Sequence, residues 1–333
     1  MYPIHDDLIK YYKGIKPQTG YVYYFLDQNL KKIARDQLKI GVGFYRTDWI
    51  DGAFLFESDS YLLKSLKEFL AAEALRSGNF AVWAEWTDYY ARMWAAVGIS
   101  RLMGTGSFYL TGHGPTMILR KKLDEIPGTV EVGLLEIAGQ NAPDTTEGYL
   151  VYRDPGGGAH LRNWKLFYVV LAEILSRTGV YSIDEEFIQA MSSGDPESRF
   201  VIKSEEEIYG FPSLYRVREL SESEAAKLAS DTVPPLDKWI EDEAQFDGGG
   251  FTEEFKAYYK FMMDHYIRED GLSETLAILE HGVSWFLAVI PEHFRAPYRD
   301  RYYELTARYS PNDETRKLIC NWLDQATAVQ TPR

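Results

Sequence analysis

The sequence has little cysteine and no long apolar run. Its 333 residues include one cysteine, Cys320, so neither an internal disulfide nor a cysteine-based zinc site can form. No segment approaches the roughly 20 consecutive apolar residues that a membrane helix needs. The first residues also lack the basic start and apolar stretch of a secretory signal. These absences predict a cytoplasmic protein without disulfides and without a membrane partner.

Familiar catalytic and cofactor-binding motifs are absent as well. The sequence contains no GxxxxGK[ST] phosphate loop, no complete GxGxxG, no GxSxG nucleophile turn, no HExxH and no Glu-x-x-His pair. We therefore predict no cofactor and no resident metal. His265 and Glu269 lie one helical turn apart and could share a metal, but such a pair more often lies on a solvent-exposed helix face.

Negative charge is concentrated in one part of the chain. The formal net charge is −14, and residues 180–250 carry −11 of it, with 17 acidic against 6 basic side chains. Residues 1–179 are neutral, with 20 of each sign. A strong nonspecific nucleic-acid binder needs a surplus of lysine and arginine, so that class is disfavoured. The acidic segment 180–250 is instead predicted to be a solvating surface or a contact surface for a protein partner.

Helical periodicity predicts a mostly α fold. Apolar residues recur at helical spacing in 60–76, 80–103, 161–177 and the C-terminal third. A further helix is predicted from Pro115 to Glu125, because proline suits the first helical turn.

Between these helices the pattern changes. β-Branched and aromatic residues between turn signals predict a small β or irregular insertion near 128–152. We expect two helical-bundle regions: residues 1–191, and a C-terminal helical region that follows an acidic linker within 192–333.

An aromatic stripe marks the 80–103 helix. Trp83, Trp86, Tyr90 and Trp94 recur at helical spacing, and we predict that this stripe is buried in the core. The alternative is a surface on which bases or sugars stack.

A histidine and a basic cluster form the first candidate binding site. His113 lies between two glycines, which places it in a turn, and Arg120, Lys121 and Lys122 follow two helical turns later. These residues are either a turn histidine with a solvated basic face or a patch that faces an anion.

The most suggestive segment is YRDPGGGAH, residues 152–160. It is glycine-rich, precedes a predicted amphipathic helix, and places Arg153 and His160 on either side of the glycines. Backbone N–H groups at a helix start favour anions, arginine can hold a phosphate through two hydrogen bonds, and histidine can move a proton near neutral pH. The alternative is a flexible loop with an ordinary Asp-Pro turn.

The stretch WTDYYARMWAAVGISRLMG, followed by HGPTMILRKKLD, resembles the paired core helices of the HEPN superfamily, small helical bundles with a histidine-containing turn before the next helix. HEPN ribonucleases also carry an arginine, four to six residues and a histidine near the start of a later helix. Arg153 and His160, with six residues between them, match that spacing. The resemblance covers about residues 60–178, roughly a third of the chain.

The resemblance implies metal-independent RNA cleavage, in which a ribose 2′-OH attacks the adjacent phosphate. His160 would be the general acid or base, and Arg153 would stabilise the charge of the phosphorane. It also implies a homodimer, and a setting in bacterial defence or toxin–antitoxin systems.

Three functional hypotheses follow. The principal one is a helical interaction or regulatory protein without a catalytic site. The first alternative is a HEPN-like, metal-independent endoribonuclease that uses Arg153 and His160. The second alternative is an enzyme with an aromatic-lined pocket for a small molecule.

Overall fold

The computed structural model describes residues 6–31, 33–35, 38, 41–122, 147–153, 159–160, 162–164, 166–167, 170, 200–204, 215–219 and 274–328. Its fold is mostly α with a small antiparallel sheet, which confirms the predicted class. The chain divides into two compact units, one of residues 1–167 with 275–333 and the other of residues 168–274. The domain bounds expected from the sequence stay a prediction.

The helices and strands of the described residues are, in chain order, α1 (Asp6–Tyr11), α2 (Val22–Leu30), β1 (Val42–Tyr45), α3 (Asp48–Ser77), α4 (Ala81–Leu102), β2 (Gly106–Leu110), β3 (Gly114–Lys122), β4 (Glu147–Arg153), β5 (Phe200–Ser204), β6 (Tyr215–Glu219), α5 (Glu274–Val289), α6 (Glu292–Tyr309) and α7 (Asp313–Ala328). The described residues between 159 and 170 are also helical.

An antiparallel pair of long helices, α3 and α4, is the scaffold of the first unit. The side chain of Thr47 caps the start of α3 by accepting a hydrogen bond from Ile50 N at 3.4 Å, and the helix ends at Ser77, just before the capping residue Gly78. Serine hydroxyls of α3 bond to carbonyl oxygens of α4: Ser58 to Gly98 at 2.8 Å and Ser65 to Ala91 at 2.7 Å. These pairs run in opposite directions along the two helices and fix their register.

Two glycines allow close packing around Leu62 of α3. A Cβ atom at Gly98 of α4 would lie 2.8 Å from Leu62 Cγ, and one at Gly282 of α5 would lie 2.5 Å from Leu62 Cδ2. Helix α5 is therefore packed directly against α3, and residues 275–290 are buried throughout. A helix that is buried on all sides in this way belongs to the core, and α5 also buries four polar side chains, Thr275, Glu280, His281 and Ser284.

The sheet has the strand order β1-β4-β3-β2, and every neighbouring pair is antiparallel. One face packs on α2 and on the first turns of α3. The core between them contains Val22, Leu26, Leu30, Val42, Phe44, Ile50, Phe54, Phe108, Ile118, Tyr149 and Val151. Arg120 follows Ile118 by two positions on β3, and Arg153 follows Val151 by two positions on β4. Side chains two positions apart point to the same face of a strand, so both arginines lie on the sheet face that carries Ile118 and Val151.

The helix predicted from Pro115 to Glu125 is wrong, because Gly114–Lys122 is strand β3. Gly112 and Gly114 have φ values of +82° and +78°, which shape a hairpin turn, and β3 then pairs on both sides with β2 and β4. The insertion predicted near 128–152 is a strand over Glu147–Arg153, and the part before residue 147 lies outside the described residues.

In the second unit, β5 and β6 form an antiparallel hairpin in which Ile202 pairs with Val217. The other residues of the acidic segment lie outside the described residues. So do His265 and Glu269, the pair considered as metal ligands. In the described part of the chain, no helix has the length and apolar character needed to cross a membrane.

Candidate functional site

His160 is held by two tyrosines of α4. The hydroxyl of Tyr89 lies 2.9 Å from Nδ1 of His160, within hydrogen-bonding distance. The two rings are almost parallel, at 14°, with centroids 5.8 Å apart. The ring of Tyr90 meets the imidazole edge-on, also at 5.8 Å. Three contacts therefore set the position and orientation of one imidazole.

Tyr89 is a rigid anchor for this contact, because only 1% of it is exposed and its helix packs along α3. His160 itself is half-buried, at the start of the helical segment that follows β4. Partial burial lowers the pKa of His160 below its ordinary value, so the neutral imidazole predominates at pH 7. A neutral, oriented imidazole can accept a proton from a substrate hydroxyl.

Arg153 is the last residue of β4 and is half-buried, opposite Thr116 of β3. Its Nε atom is buried and has no hydrogen-bond partner among the residues that the structure describes. A buried guanidinium N–H without an acceptor is costly and can be satisfied by an anion. The five residues after Arg153, which lead to Ala159 and His160, lie outside the described residues.

The residues of the predicted anion patch lie on the β2–β3 hairpin. His113 is buried in the β2–β3 turn, and its Nε2 lies 2.9 Å from the carbonyl oxygen of Leu30. Six residues of extended strand, about 20 Å, lie between His113 and Arg120. Lys121 and Lys122 pair with Gly148 and Glu147 of β4, so the basic cluster lies on a strand and not on a solvated helix face.

Arg120 belongs to a separate polar cluster that the sequence did not reveal. Its guanidinium carbon lies 3.7 Å from the ring centre of Tyr11. Asp51, at the start of α3, accepts hydrogen bonds from the hydroxyls of Tyr11, at 2.9 Å, and Tyr149, and from Arg46 Nε at 2.9 Å. Burial raises the pKa of Asp51 and of both tyrosines, so the tyrosines remain neutral donors. The cluster joins α1, α3, β3 and β4 to Arg46, the residue after β1, and Nη1 of Arg120 is buried without a hydrogen-bond partner among the described residues.

The prediction that the tryptophan stripe is buried is wrong for its first half. Trp83 is 68% exposed and Trp86 is 36% exposed. Helix α3 ends at Ser77, and Phe80 and Val82, which follow it, are also exposed. Together with Trp83 and Trp86, these side chains form an apolar surface at the α3–α4 turn. Trp83 therefore lies at the surface of this turn, and the small-molecule hypothesis stays a prediction.

Further along the stripe the rings are partly covered. Trp94 stacks on Tyr61 of α3, with centroids 5.4 Å apart and planes at 13°, and the ammonium of Lys64 lies 3.5 Å from the Trp94 ring centre. The carboxylates near the stripe are paired: Arg76 lies 3.7 Å from Glu85 and 3.5 Å from Asp88.

Comparison with known proteins adds no assignment, because no family model, curated protein or solved structure matches the chain. Nor is there a group of three or more histidine, cysteine, aspartate or glutamate side chains placed to hold a metal, so far as the structure describes the chain.

Proposed function

We propose that this protein is an endoribonuclease that needs no metal and uses His160 and Arg153. The observation that carries the proposal is the oriented, largely neutral imidazole of His160, hydrogen-bonded through Nδ1 to the buried Tyr89. Titratable side chains with a shifted pKa and a fixed orientation are concentrated at functional sites. The HEPN resemblance points to the same two residues through their spacing, but the second of its paired core helices, HGPTMILRKKLD, is strand β3 in this structure.

The proposed reaction is a transesterification within the RNA strand. His160 takes the proton of a ribose 2′-OH, the 2′-oxygen forms a bond to the adjacent phosphorus, and the bond from phosphorus to the 5′-oxygen breaks. Water or a second acid returns a proton to the leaving oxygen. Arg153 stabilises the extra negative charge of the phosphorane. The products carry a 2′,3′-cyclic phosphate and a 5′-hydroxyl.

The test is cleavage of end-labelled single-stranded RNA in excess EDTA. His160→Ala is expected to slow cleavage by at least ~10²-fold, the lower end of the usual general acid–base contribution. Arg153→Lys is also expected to fail, because lysine keeps the charge and loses the planar fork. His293→Ala and Arg308→Lys, both at exposed positions of α6, are the matched controls.

Three results would contradict the proposal: cleavage that EDTA abolishes, cleavage that both site variants retain, or products without a cyclic phosphate. A substrate with 2′-O-methyl groups throughout lacks the nucleophile and is expected to stay intact even at high enzyme concentration. Cleavage of that substrate would point to a different reaction.

The second candidate is the non-catalytic interaction or regulatory protein. The apolar surface at the α3–α4 turn favours it, because exposed apolar clusters of this kind often mark contact sites. A second copy of the chain is the occupant to test, because a two-fold interface joins the same surface of both copies and would cover the exposed rings of each. A dimer in sedimentation velocity that Val82→Asp dissociates, without RNA cleavage by wild type, would favour this candidate.

A further inference from the structure

The apolar surface at the α3–α4 turn is bordered by an accessible carboxylate. Phe80, Val82 and Trp83 are each more than half exposed, so the turn presents two aromatic rings and a valine to solvent. Val82 stands three positions before Glu85 on α4, and side chains at this spacing lie on one face of a helix. The side chain of Glu85 is 40% exposed. An apolar contact and a charged contact are therefore offered within one helical turn.

Acidic side chains outnumber basic ones at this edge of the surface. Arg76 of α3 forms an ion pair with Glu73. Its Nη2 atom also lies 3.7 Å from Glu85 and 3.5 Å from Asp88, so one guanidinium serves three carboxylates. Even with Arg92, whose Nε lies 3.9 Å from Asp88, this group of described residues has three carboxylates and two guanidinium groups. The edge therefore has a net negative charge, which attracts a cation and repels an anion.

Helix α4 already holds a cation on one of its indole rings. The ammonium of Lys64 lies 3.5 Å from the ring centre of Trp94, so a lysine of α3 uses this ring as a cation–π partner. Trp83 offers the same kind of ring, mostly exposed, at the start of the helix. Successive residues of a helix turn by about 100°, so Val82 lies between Trp83 and Glu85 around the axis. The surface thus has an apolar centre between two places that suit a cation.

We propose that the α3–α4 turn docks a basic, amphipathic segment of a protein partner, with apolar side chains on Val82 and lysine or arginine side chains at Trp83 and Glu85. The surface covers the ends of two packed helices, whose axes lie about 8–10 Å apart, and is too wide for a single small cation. A second copy of the chain fits less well, because a two-fold axis would bring the same carboxylates together. This inference is independent of the proposed cleavage at His160.

The test measures the binding of two labelled helical peptides to the full chain by fluorescence anisotropy. One peptide contains only leucine and lysine, with leucine at positions i, i+3, i+4 and i+7, and the other has glutamate in place of every lysine. The leucine–lysine peptide is expected to bind, and the leucine–glutamate peptide is not. Trp83→Ala is expected to weaken binding about 2- to 30-fold, the range that a cation over an indole ring contributes. Tyr109→Ala, which removes an exposed ring of β2, is the control and is expected to bind normally.

Reversal of one charge tests the acidic edge. Glu85→Lys is expected to weaken binding of the leucine–lysine peptide more than Glu85→Gln does, because it adds repulsion to the loss of attraction. Glu304→Lys makes the same change of net charge at an exposed position of α6 and is expected to bind like wild type. Equal losses in Glu85→Lys and Glu304→Lys, or equal binding of both peptides by wild type, would overturn the proposal.

Two further measurements separate this proposal from the others. His160→Ala is expected to bind the leucine–lysine peptide normally, so loss of RNA cleavage and loss of docking are read from different variants. A dimer in sedimentation velocity that Trp83→Ala dissociates, without binding of the peptide by wild type, would assign the surface to a second copy of the chain and overturn the proposal.

Discussion

Asp59 should make the protein less stable as pH rises from about 4 to about 6. This carboxylate of α3 is 1% exposed, and it accepts hydrogen bonds from Arg301 and, at 3.2 Å, from the hydroxyl of Tyr302, both on α6. Tyr298 of α6 also lies within its electrostatic reach. Burial raises the pKa of Asp59 from 3.8 to about 6, and the charge of Arg301 only partly opposes that shift.

The sign follows from proton binding. The folded state holds the Asp59 proton more tightly than the unfolded chain does, so folding is favoured most below pH 3.8. That contribution is lost progressively as pH rises through the folded-state pKa. A shift of about two pKa units corresponds to about 3 kcal/mol of unfolding free energy.

The perturbation that isolates this effect is Asp59→Asn, which keeps the shape and a hydrogen-bond acceptor for Tyr302 but cannot ionise. Urea unfolding at pH 4, 5, 6 and 7 should show wild type losing up to about 3 kcal/mol relative to the variant, so that Asp59→Asn is the more stable protein at pH 7. Asp300→Asn, at an exposed position of α6, should track wild type. A variant that is less stable than wild type at pH 7, or a difference that does not change with pH, would refute the reasoning.

Two further predictions concern the packing of the helices. In a urea titration, Gly282→Ala should lower the unfolding free energy by ~1–3 kcal/mol, because the new methyl group would lie 2.5 Å from Leu62 Cδ2. Gly20→Ala is the control and should be close to neutral, because its new methyl group would have its nearest neighbour at 3.5 Å. Arg101→Met should lower the unfolding free energy by ~3–5 kcal/mol, because Arg101 Nε lies 2.6 Å from Glu57 Oε2 and both side chains are almost wholly buried. A thermal transition unchanged from wild type would contradict this and show that Glu57 finds another partner in place of Arg101.

The helices were predictable because their signals are local. Gly78 after the 60–76 periodicity and Pro291 before the 292–309 segment stand at observed helix ends. Strand β3 was not predictable in this way, since Gly114-Pro115 also suits a helix start. Its choice of structure depends on pairing with β4, whose residues lie about 30 positions later, and β4 in turn pairs with β1, about 100 positions earlier. Periodicity within a short window carries no information about such partners.

The tryptophan stripe shows a different limit. Helical spacing shows that Trp83, Trp86, Tyr90 and Trp94 share a face, but it does not show how much of that face another element covers. Trp94 is covered because Tyr61 and Lys64 of α3 lie against it. Trp83 stands at the α3–α4 turn, in the first turn of its own helix, where the structure leaves it mostly exposed. A single pattern therefore runs from core to surface within three helical turns.

The candidate site combines both kinds of information. Arg153 and His160 could be nominated from the glycine-rich loop and the helix that follows, since those signals lie within nine residues. Tyr89 could not, because it precedes His160 by 71 residues and meets it only after α4 packs in the first unit. Yet Tyr89 is what orients the His160 ring: its hydroxyl lies at Nδ1, so under the proposed function proton transfer is assigned to Nε2. The residues proposed for the chemistry are visible in the sequence, and the contact that orients His160 is a property of the fold.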